Sequence, residues 1–256
     1  MIQNITLIGS GNVAHNLGAA LVSAGLNVVD VYSRSIKNAQ YLAEKLNAKH
    51  TDDFDKINKK SDLYILATTD NSITEIGNRL KLGNKLVVHT SGSVGIDSFI
   101  STSSNFGSFY PLQTFTKNHQ ADFTEIPICI EANNEKSLKN LSDLAQKLTN
   151  RVIELSSEQR KKLHLSAVFV SNFANFMQVI GQDLCENQGV DFSLLQPLIK
   201  EVFEKNKTGK AIDNQTGPAL RGDTFTMNNH LEILKDNKEL SELYKLISKM
   251  IGNKKL

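Results

Sequence analysis

The chain predicts an α/β fold, a doubly wound parallel Rossmann sheet over residues 1–155 followed by an all-α domain over residues 156–256. Three observations carry that expectation. A strand, a glycine-rich turn and a helix open the chain between Asn4 and Gly18; short apolar runs then alternate with helical periodicities; from Ser156 onward only helical stripes remain. At 256 residues the chain can bury a substantial core, and roughly 100–200 residues per domain suggests one or two domains.

In the opening unit Ile5, Leu7 and Ile8 read as a buried strand. Gly9-Ser10-Gly11-Asn12-Val13-Ala14 follows, and Leu17, Ala20, Leu21 and Ala24 mark a helix. This is G-x-G-x-x-A between a strand and a helix, a variant of the dinucleotide fingerprint. Gly9 permits the tight turn, Gly11 admits a pyrophosphate close to the backbone, and Ala14 lets the helix pack on the strand. The helix N-terminus offers unpaired N–H groups and a partial positive charge to phosphates. The competing reading is a strand, turn and helix with no ligand.

Gly25 ends that helix, and Val28 to Tyr32 is the second strand. Its tip reads Tyr32-Ser33-Arg34-Ser35. A cofactor without a 2′-phosphate is usually met there by Asp or Glu. Arg34 can instead form paired, charge-assisted bonds to a 2′-phosphate, with Ser33 and Ser35 as further donors, so NADP is the predicted cofactor. Asp30, two residues short of the tip, is the competing reading, and a solvated Arg34 the other. Ser35 can also cap a helix through Ala39, Leu42, Ala43 and Leu46. A short strand near Ala48-Lys49-His50 puts His50 on the surface.

Asp62 to Ala67 is a third buried strand, ending in Thr68-Thr69-Asp70. Ligands in open parallel sheets sit beyond the strands' carboxyl ends, so these three are placed to line the cofactor; Asp70 reads equally as the N-cap of a helix from Ile73 to Leu80. Lys85 to Val88 is a further strand and empties into His89-Thr90-Ser91-Gly92-Ser93, a polar cluster that a plain connection does not need. His89, Ser91 and Gly92 are expected at the nicotinamide end. Phe106 to Phe115, a strand at Ile126 to Ile130, a helix at Glu135 to Leu148 and a closing strand at Arg151 to Leu155 complete the sheet.

In the second part, Ser156 and Gln159 form a capping box. A helix too apolar for a surface position then runs to about Gly189. Ser193 to Gln196 repeats the capping pattern before Leu198, Ile199, Val202 and Phe203, and Leu240, Leu243, Tyr244, Ile247, Met250 and Ile251 form the last stripe. Phe169, Phe173, Phe176 and Met177 give the long helix more apolar surface than a small domain needs, which predicts a homodimer through the helical domain. Against this background His164, Ser171, Asn172 and Asn175 share one face at 3.6 residues per turn, a row that must meet water, a partner helix or a ligand. His164 taken alone reads first as a satisfied core or interface histidine. The loop Thr216 to Asp223 carries two glycines, a proline and two opposite charges.

Composition narrows the partners. With 29 basic and 27 acidic residues no basic block suggests nucleic acid, and the pairs Lys59-Lys60 and Lys254-Lys255 read as solvated surface. Cys129 and Cys185 have no metal or redox spacing, so they are expected to be reduced packing residues, and no metal is predicted. No charged leader precedes an apolar stretch, and no run approaches the 18 or so apolar residues of a membrane span. The expectation is a cytoplasmic protein with a small-molecule substrate and no membrane or nucleic-acid partner.

The fingerprint, Ser33-Arg34-Ser35, His89-Thr90-Ser91-Gly92, Tyr110-Pro111-Leu112-Gln113-Thr114-Phe115, the stretch from His164 to Asn172 and Thr216 to Asp223 together resemble one family. It is the Rossmann-like NADP oxidoreductase family with a helical C-terminal domain of unknown function. That family is related to pyrroline-5-carboxylate reductases, to 6-phosphogluconate and β-hydroxyacid dehydrogenases and to deazaflavin-dependent NADP reductases. The resemblance spans nearly the whole chain and implies a parallel-sheet domain and a dimerising helical one, but no substrate. Many members have His where this chain has Tyr110, and the lysine–asparagine pair of β-hydroxyacid dehydrogenases is missing. Three function classes remain: a reductase passing hydride from NADPH to a carbonyl or imine, a non-catalytic NADP sensor, and a structural dimer. In the first, His164 is the candidate acid or base, since an unperturbed imidazole titrates near neutrality. Ser171 and Asn172 would hold the substrate in a cleft between the domains.

Overall fold

The computed structural model describes residues 2–117 and 119–253, so the Lys254-Lys255 pair lies outside the described residues. The strands are β1 (Asn4–Ile8), β2 (Asn27–Tyr32), β3 (Lys49–Thr51), β4 (Leu63–Leu66), β5 (Gly83–His89), β6 (Ser103–Pro111), β7 (Ile128–Ala132) and β8 (Val152–Glu154). They form one sheet in the order β3-β2-β1-β4-β5-β6-β7-β8. The first six are parallel in Rossmann order.

The doubly wound parallel sheet is present, with one strand pair reversed. β7 runs antiparallel to β6, and β8 follows β7. The reason is where the chain turns. Asn12 Nδ2 donates to the Phe115 carbonyl at 2.9 Å and Asn16 Nδ2 to the Thr116 carbonyl at 3.0 Å. Both belong to helix α1 (Asn12–Ser23). The segment leaving β6 is thereby held at the carboxyl end of the sheet, and the chain re-enters from that end.

Both faces of the sheet are covered, which explains why its central strands read as apolar runs rather than alternations. Leu63 and Ile65 point into a cluster with Leu7, Leu17, Val31, Leu42, Phe109 and Leu141. Tyr64 and Leu66, one residue out of phase, point into another with Ile8, Tyr32, Ile73 and Phe99. Helices α1, α2 (Ile36–Leu46) and α4 (Glu135–Ala145) supply the first cluster and α3 (Asp70–Arg79) the second. Ser35 caps α2, accepting from the Asn38 N–H at 3.4 Å. The cap of α3 is Thr69, so Asp70 is a first-turn residue rather than the cap.

A continuous helix spans Ser157–Glu186, built from α5 (Ser157–Ala167), a π-helical turn (Val168–Phe173) and α6 (Ala174–Glu186). The capping box of Ser156 and Gln159 is present. This helix is long and apolar enough, by length and composition, to cross a membrane; a count of unbroken apolar runs misses it because Ser171, Asn172 and Asn175 interrupt the run. Further on come α7 (Gln196–Asn206), α8 (Pro218–Arg221), α9 (Thr224–Ile233) and α10 (Lys238–Gly252). The expected cap at Ser193 is absent: α7 starts after Leu195 without a side-chain cap, and Asp191 caps the 3-10 turn before it, its carboxylate accepting from the Ser193 N–H at 2.8 Å. Asp223 caps α9, a helix without an apolar stripe to announce it, accepting from the Thr226 N–H at 3.0 Å and hydroxyl at 2.8 Å.

By compactness the chain divides into Met1–Phe176 and Met177–Leu256. Strands give way to helix at residues 155–156, but the first turns of the long helix are packed with the sheet.

Candidate functional site

The carboxyl ends of the central strands are stitched side by side. The Gly9 N–H donates to the Tyr32 carbonyl at 2.8 Å, that of Ala67 to Ile8 at 2.8 Å, and that of Thr90 to Leu66 at 3.1 Å. Gly9 has φ +117°, and a β-carbon there would lie 2.2 Å from the Ala67 carbonyl oxygen, so only glycine fits. At Gly11 a β-carbon would meet nothing within 4 Å; the turn is open there. Helix α1 starts at that opening with no side-chain cap and no acidic residue in its first turn. Its first N–H groups are therefore available to an anion, the arrangement a pyrophosphate needs.

A cavity of about 500 Å³ lies over this edge, where the strand order reverses between β1 and β4. Gly9, Ser10, Gly11, Asn12 and Val13 line it from the fingerprint, and Ser33 and Arg34 from the tip of β2. Thr68, Thr69 and Asp70 line it after β4, Ser91 and Gly92 after β5, and His164 from α5. All these residues belong to the first compact unit. Ser10 donates to Ser33 at 2.8 Å, which joins the fingerprint to the strand tip. Asp30 does not line the cavity; its carboxylate accepts from the Asn58 N–H at 2.9 Å, and burial pushes its carboxyl up. Arg34 is the one guanidinium or ammonium among the described lining residues.

Five expected site residues are not in the lining. Ala14 is wholly buried in the core, in keeping with its packing task. Ser35 is turned toward α2 as its cap. His89 is fully buried behind the wall, its Nδ1 accepting from the Ser91 N–H at 3.2 Å. Burial, then the Arg160 charge, lowers His89 to about 3, against a raising contribution from the Gly95 backbone. Ser171 and Asn172 miss the cavity because the π turn changes the register after Val168, and counting at 3.6 residues per turn no longer places them beside His164. Ser171 instead shares a hydrogen bond of 2.8 Å with Thr114, and Asn172 is exposed.

His164 has a defined setting. Its Nδ1 lies 3.0 Å from the Tyr110 hydroxyl, and the rings meet edge-on with centroids 6.0 Å apart. A β-carbon on Gly92 would sit 2.5 Å from His164 Cγ, so the ring packs directly on that glycine's backbone. Burial, then Cys129, pushes the Tyr110 phenol up to about 12, with Arg160 acting the other way.

Sequence reasoning missed Arg160. It is 1% exposed, pairs with Glu131, and donates to the carbonyls of Ser91, at 3.2 Å, and Val94. Glu131 also accepts from the Ser157 N–H at 2.8 Å and hydroxyl at 2.7 Å. These bonds tie the loop after β5, strand β7 and the start of α5 together, one helical turn from His164. In Arg160-Lys161-Lys162 nothing marks the first cation as the buried one. Tyr110, Pro111 and Gln113 also line the cavity, through a segment the sequence marked only by resemblance. Among the described residues no group of three His, Cys, Asp or Glu side chains is placed to hold a metal.

Residues 4–92 match the family described as NADP oxidoreductase coenzyme F420-dependent, and residues 126–251 match a domain of unknown function, DUF2520. The crystal structure of the putative NADP oxidoreductase BF3122 from Bacteroides fragilis is 38% identical, with a TM-score of 0.93 and 99% of each chain covered. The fold is shared with protein TM1727 from Thermotoga maritima, 23% identical with a TM-score of 0.80 over 96% of this chain and 97% of that one. It is shared too with an imine reductase from Myxococcus stipitatus solved with NADP+, 15% identical with a TM-score of 0.66 over 97% and 92% of the two chains. A glutamyl-tRNA reductase of Methanococcus maripaludis is 25% identical over 185 residues, and the match covers 70% of this chain and 44% of that protein's length. With both regions matched in one chain and a relative 38% identical over 99% of its length, this chain belongs to the Rossmann-like NADP oxidoreductase family with a helical C-terminal domain of unknown function.

Proposed function

We propose that residues 9–164 hold NADPH and reduce a small carbonyl or imine, with His164 as the proton donor. The observation that carries this reading is the single cavity shared by the fingerprint, Arg34 and His164. The α1 N-terminus and the open face of Gly11 would take the pyrophosphate. Arg34, with Ser33, would take a 2′-phosphate. Thr68, Ser91 and Gly92 would flank the nicotinamide. Bound NADPH supplies the hydride, which goes to the electrophilic carbon. His164 gives its proton to the carbonyl oxygen or imine nitrogen and regains one from water, so one substrate takes up two electrons and two hydrogens.

A second copy of the chain is proposed to cover the apolar positions of the long helix. Phe169, Phe173 and Phe176 are exposed at 58%, 50% and 55%, more than an isolated folded chain commonly leaves in one stripe. Polar residues recur along the same helix, which favours a protein partner over lipid.

The test is NADPH oxidation against a panel of cyclic imines, ketones and oxidised coenzyme F420. Turnover that needs a carbonyl or imine supports the reading. Turnover with the deazaflavin alone replaces the substrate class. Tight NADPH binding with no turnover points to a sensor.

A further inference from the structure

We propose that Tyr110 is a positioning residue that fixes the tautomer of His164, holding the ring proton on Nε2, so that Nε2 is the atom that exchanges a proton with substrate. The proposal rests on His164 acting as the acid but is tested separately from it.

The geometry allows two neutral arrangements. Either the Tyr110 hydroxyl donates to Nδ1 and Nε2 carries the proton, or Nδ1–H donates to the phenol oxygen and the phenol hydrogen seeks another acceptor. Among the described residues the Tyr110 hydroxyl has one hydrogen bond, that to Nδ1 at 3.0 Å. Tyr110 is 9% exposed, so a hydrogen without an acceptor there is costly. The first arrangement satisfies both groups.

The ring is also kept from turning over. A flip about χ2 puts Cδ2–H where Nδ1 stood and forfeits the bond. Gly92 backs the ring on one side, with only 2.6 Å between its would-be β-carbon and Nδ1. Arg160, one turn earlier on α5, fastens the helix through Glu131 and fastens the Gly92 loop through the carbonyls of Ser91 and Val94. Tyr110 itself is set on β6 opposite Cys129 of β7. The raised phenol pKa keeps its O–H protonated, and so a donor, through the working pH range. Donation starts from the doubly protonated ring, whose second proton sits on Nδ1 against the phenol oxygen. Nε2 gives its proton to substrate, and the ring is left with Nδ1–H. Uptake of a proton at Nε2 from water, with loss of the Nδ1 proton, restores the resting tautomer.

The test is long-range ¹H–¹⁵N NMR of protein labelled with ¹⁵N-histidine at mildly alkaline pH, with and without NADPH, assigned through His164→Asn. The wild-type ring is expected to show an unprotonated Nδ1 and a protonated Nε2. Tyr110→Phe, which keeps the ring but removes the hydroxyl, should raise the Nδ1–H fraction and lower kcat about three- to tenfold at unchanged NADPH affinity. A wild-type His164 protonated on Nδ1 overturns the proposal, as does a folded Tyr110→Phe variant with an unchanged tautomer. If Tyr110→Phe does not fold, the wild-type spectrum decides alone. Should His164→Ala leave turnover intact while the Nε2–H tautomer is observed, the acid assignment fails and the tautomer assignment stands.

Discussion

The two compact units differ in how far each completes its own interior. In the first, strand residues such as Ile5, Leu7, Ile65 and Phe109 have no exposed surface at all. Among the described residues of 177–253, Leu234 alone is buried, while Leu198, Val202, Ile247 and Met250 stay exposed at 61%, 50%, 37% and 57%. A sheet with helices on both faces encloses its apolar residues within one chain. A few amphipathic helices have stripes that one another's surfaces cannot all cover, and the remainder is left for another surface. The cavity belongs to the unit with the enclosed sheet, and the apolar stripe proposed as an interface starts at that unit's end, at Phe169, Phe173 and Phe176 of the long helix.

The largest expected effect tests the assignment of chemistry to the first unit. His164→Ala should lower turnover roughly 10²–10⁴-fold while NADPH affinity barely moves, the pattern of a lost general acid. A parallel loss of NADPH affinity would instead make His164 a binding residue. Next comes a direct contrast of interiors. Phe109→Ala should destabilise by about 3–5 kcal/mol in chemical denaturation, because a large side chain leaves a cavity in a packed core. Phe225→Ala, at a position 77% exposed, should change stability by less than about 0.5 kcal/mol. Similar losses at both positions would show the helical unit to be as well enclosed as the sheet.

Arg34→Ala should weaken NADPH binding by about 1.5–3 kcal/mol, tenfold or more, and leave NADH nearly unaffected. Equal native affinity for the two cofactors would remove the 2′-phosphate role from Arg34.

A smaller effect follows from His89. Its folded pKa, about 3, lies below the ordinary value of 6.5. The unfolded chain therefore binds the extra proton first, and the stabilising contribution, complete above pH 6.5, is lost as pH falls toward 3. The slope is about 1.4 kcal/mol per pH unit in that window. His89→Asn should flatten it relative to wild type, measured by denaturant melts at successive pH values. A wild-type slope that the variant reproduces would mean that His89 is protonated in the fold.

The last expectation is a factor of two. Light scattering should give twice the 28.4 kDa chain mass in detergent-free buffer, and Phe173→Glu should return it to one. A wild-type mass of one chain would remove the second copy from the account.

Most of the cavity lining was legible because local chemistry sets it. Gly9 must be glycine for its φ and its closeness to Ala67, and Arg34 must sit where β2 ends; spacing along the chain fixes both. The register of Ser171 and Asn172 was not legible, since a π turn depends on packing and leaves no mark in the apolar period. His89 and Ser91 stand two residues apart, yet one faces inward and the other lines the cavity; their polar character alone gave no way to separate them.

By itself the sequence determined the alternation of strand and helix in the first part, the Rossmann edge and the cofactor class, because periodicity, turn chemistry and helix ends act over a few residues. Only the tertiary structure decided the reversal of β7, the burial of Arg160 against Glu131 and the meeting of Tyr110 with His164. Those pairs lie 29 and 54 residues apart. Their contact is set by how whole elements pack, and no local pattern in a single chain encodes that distance.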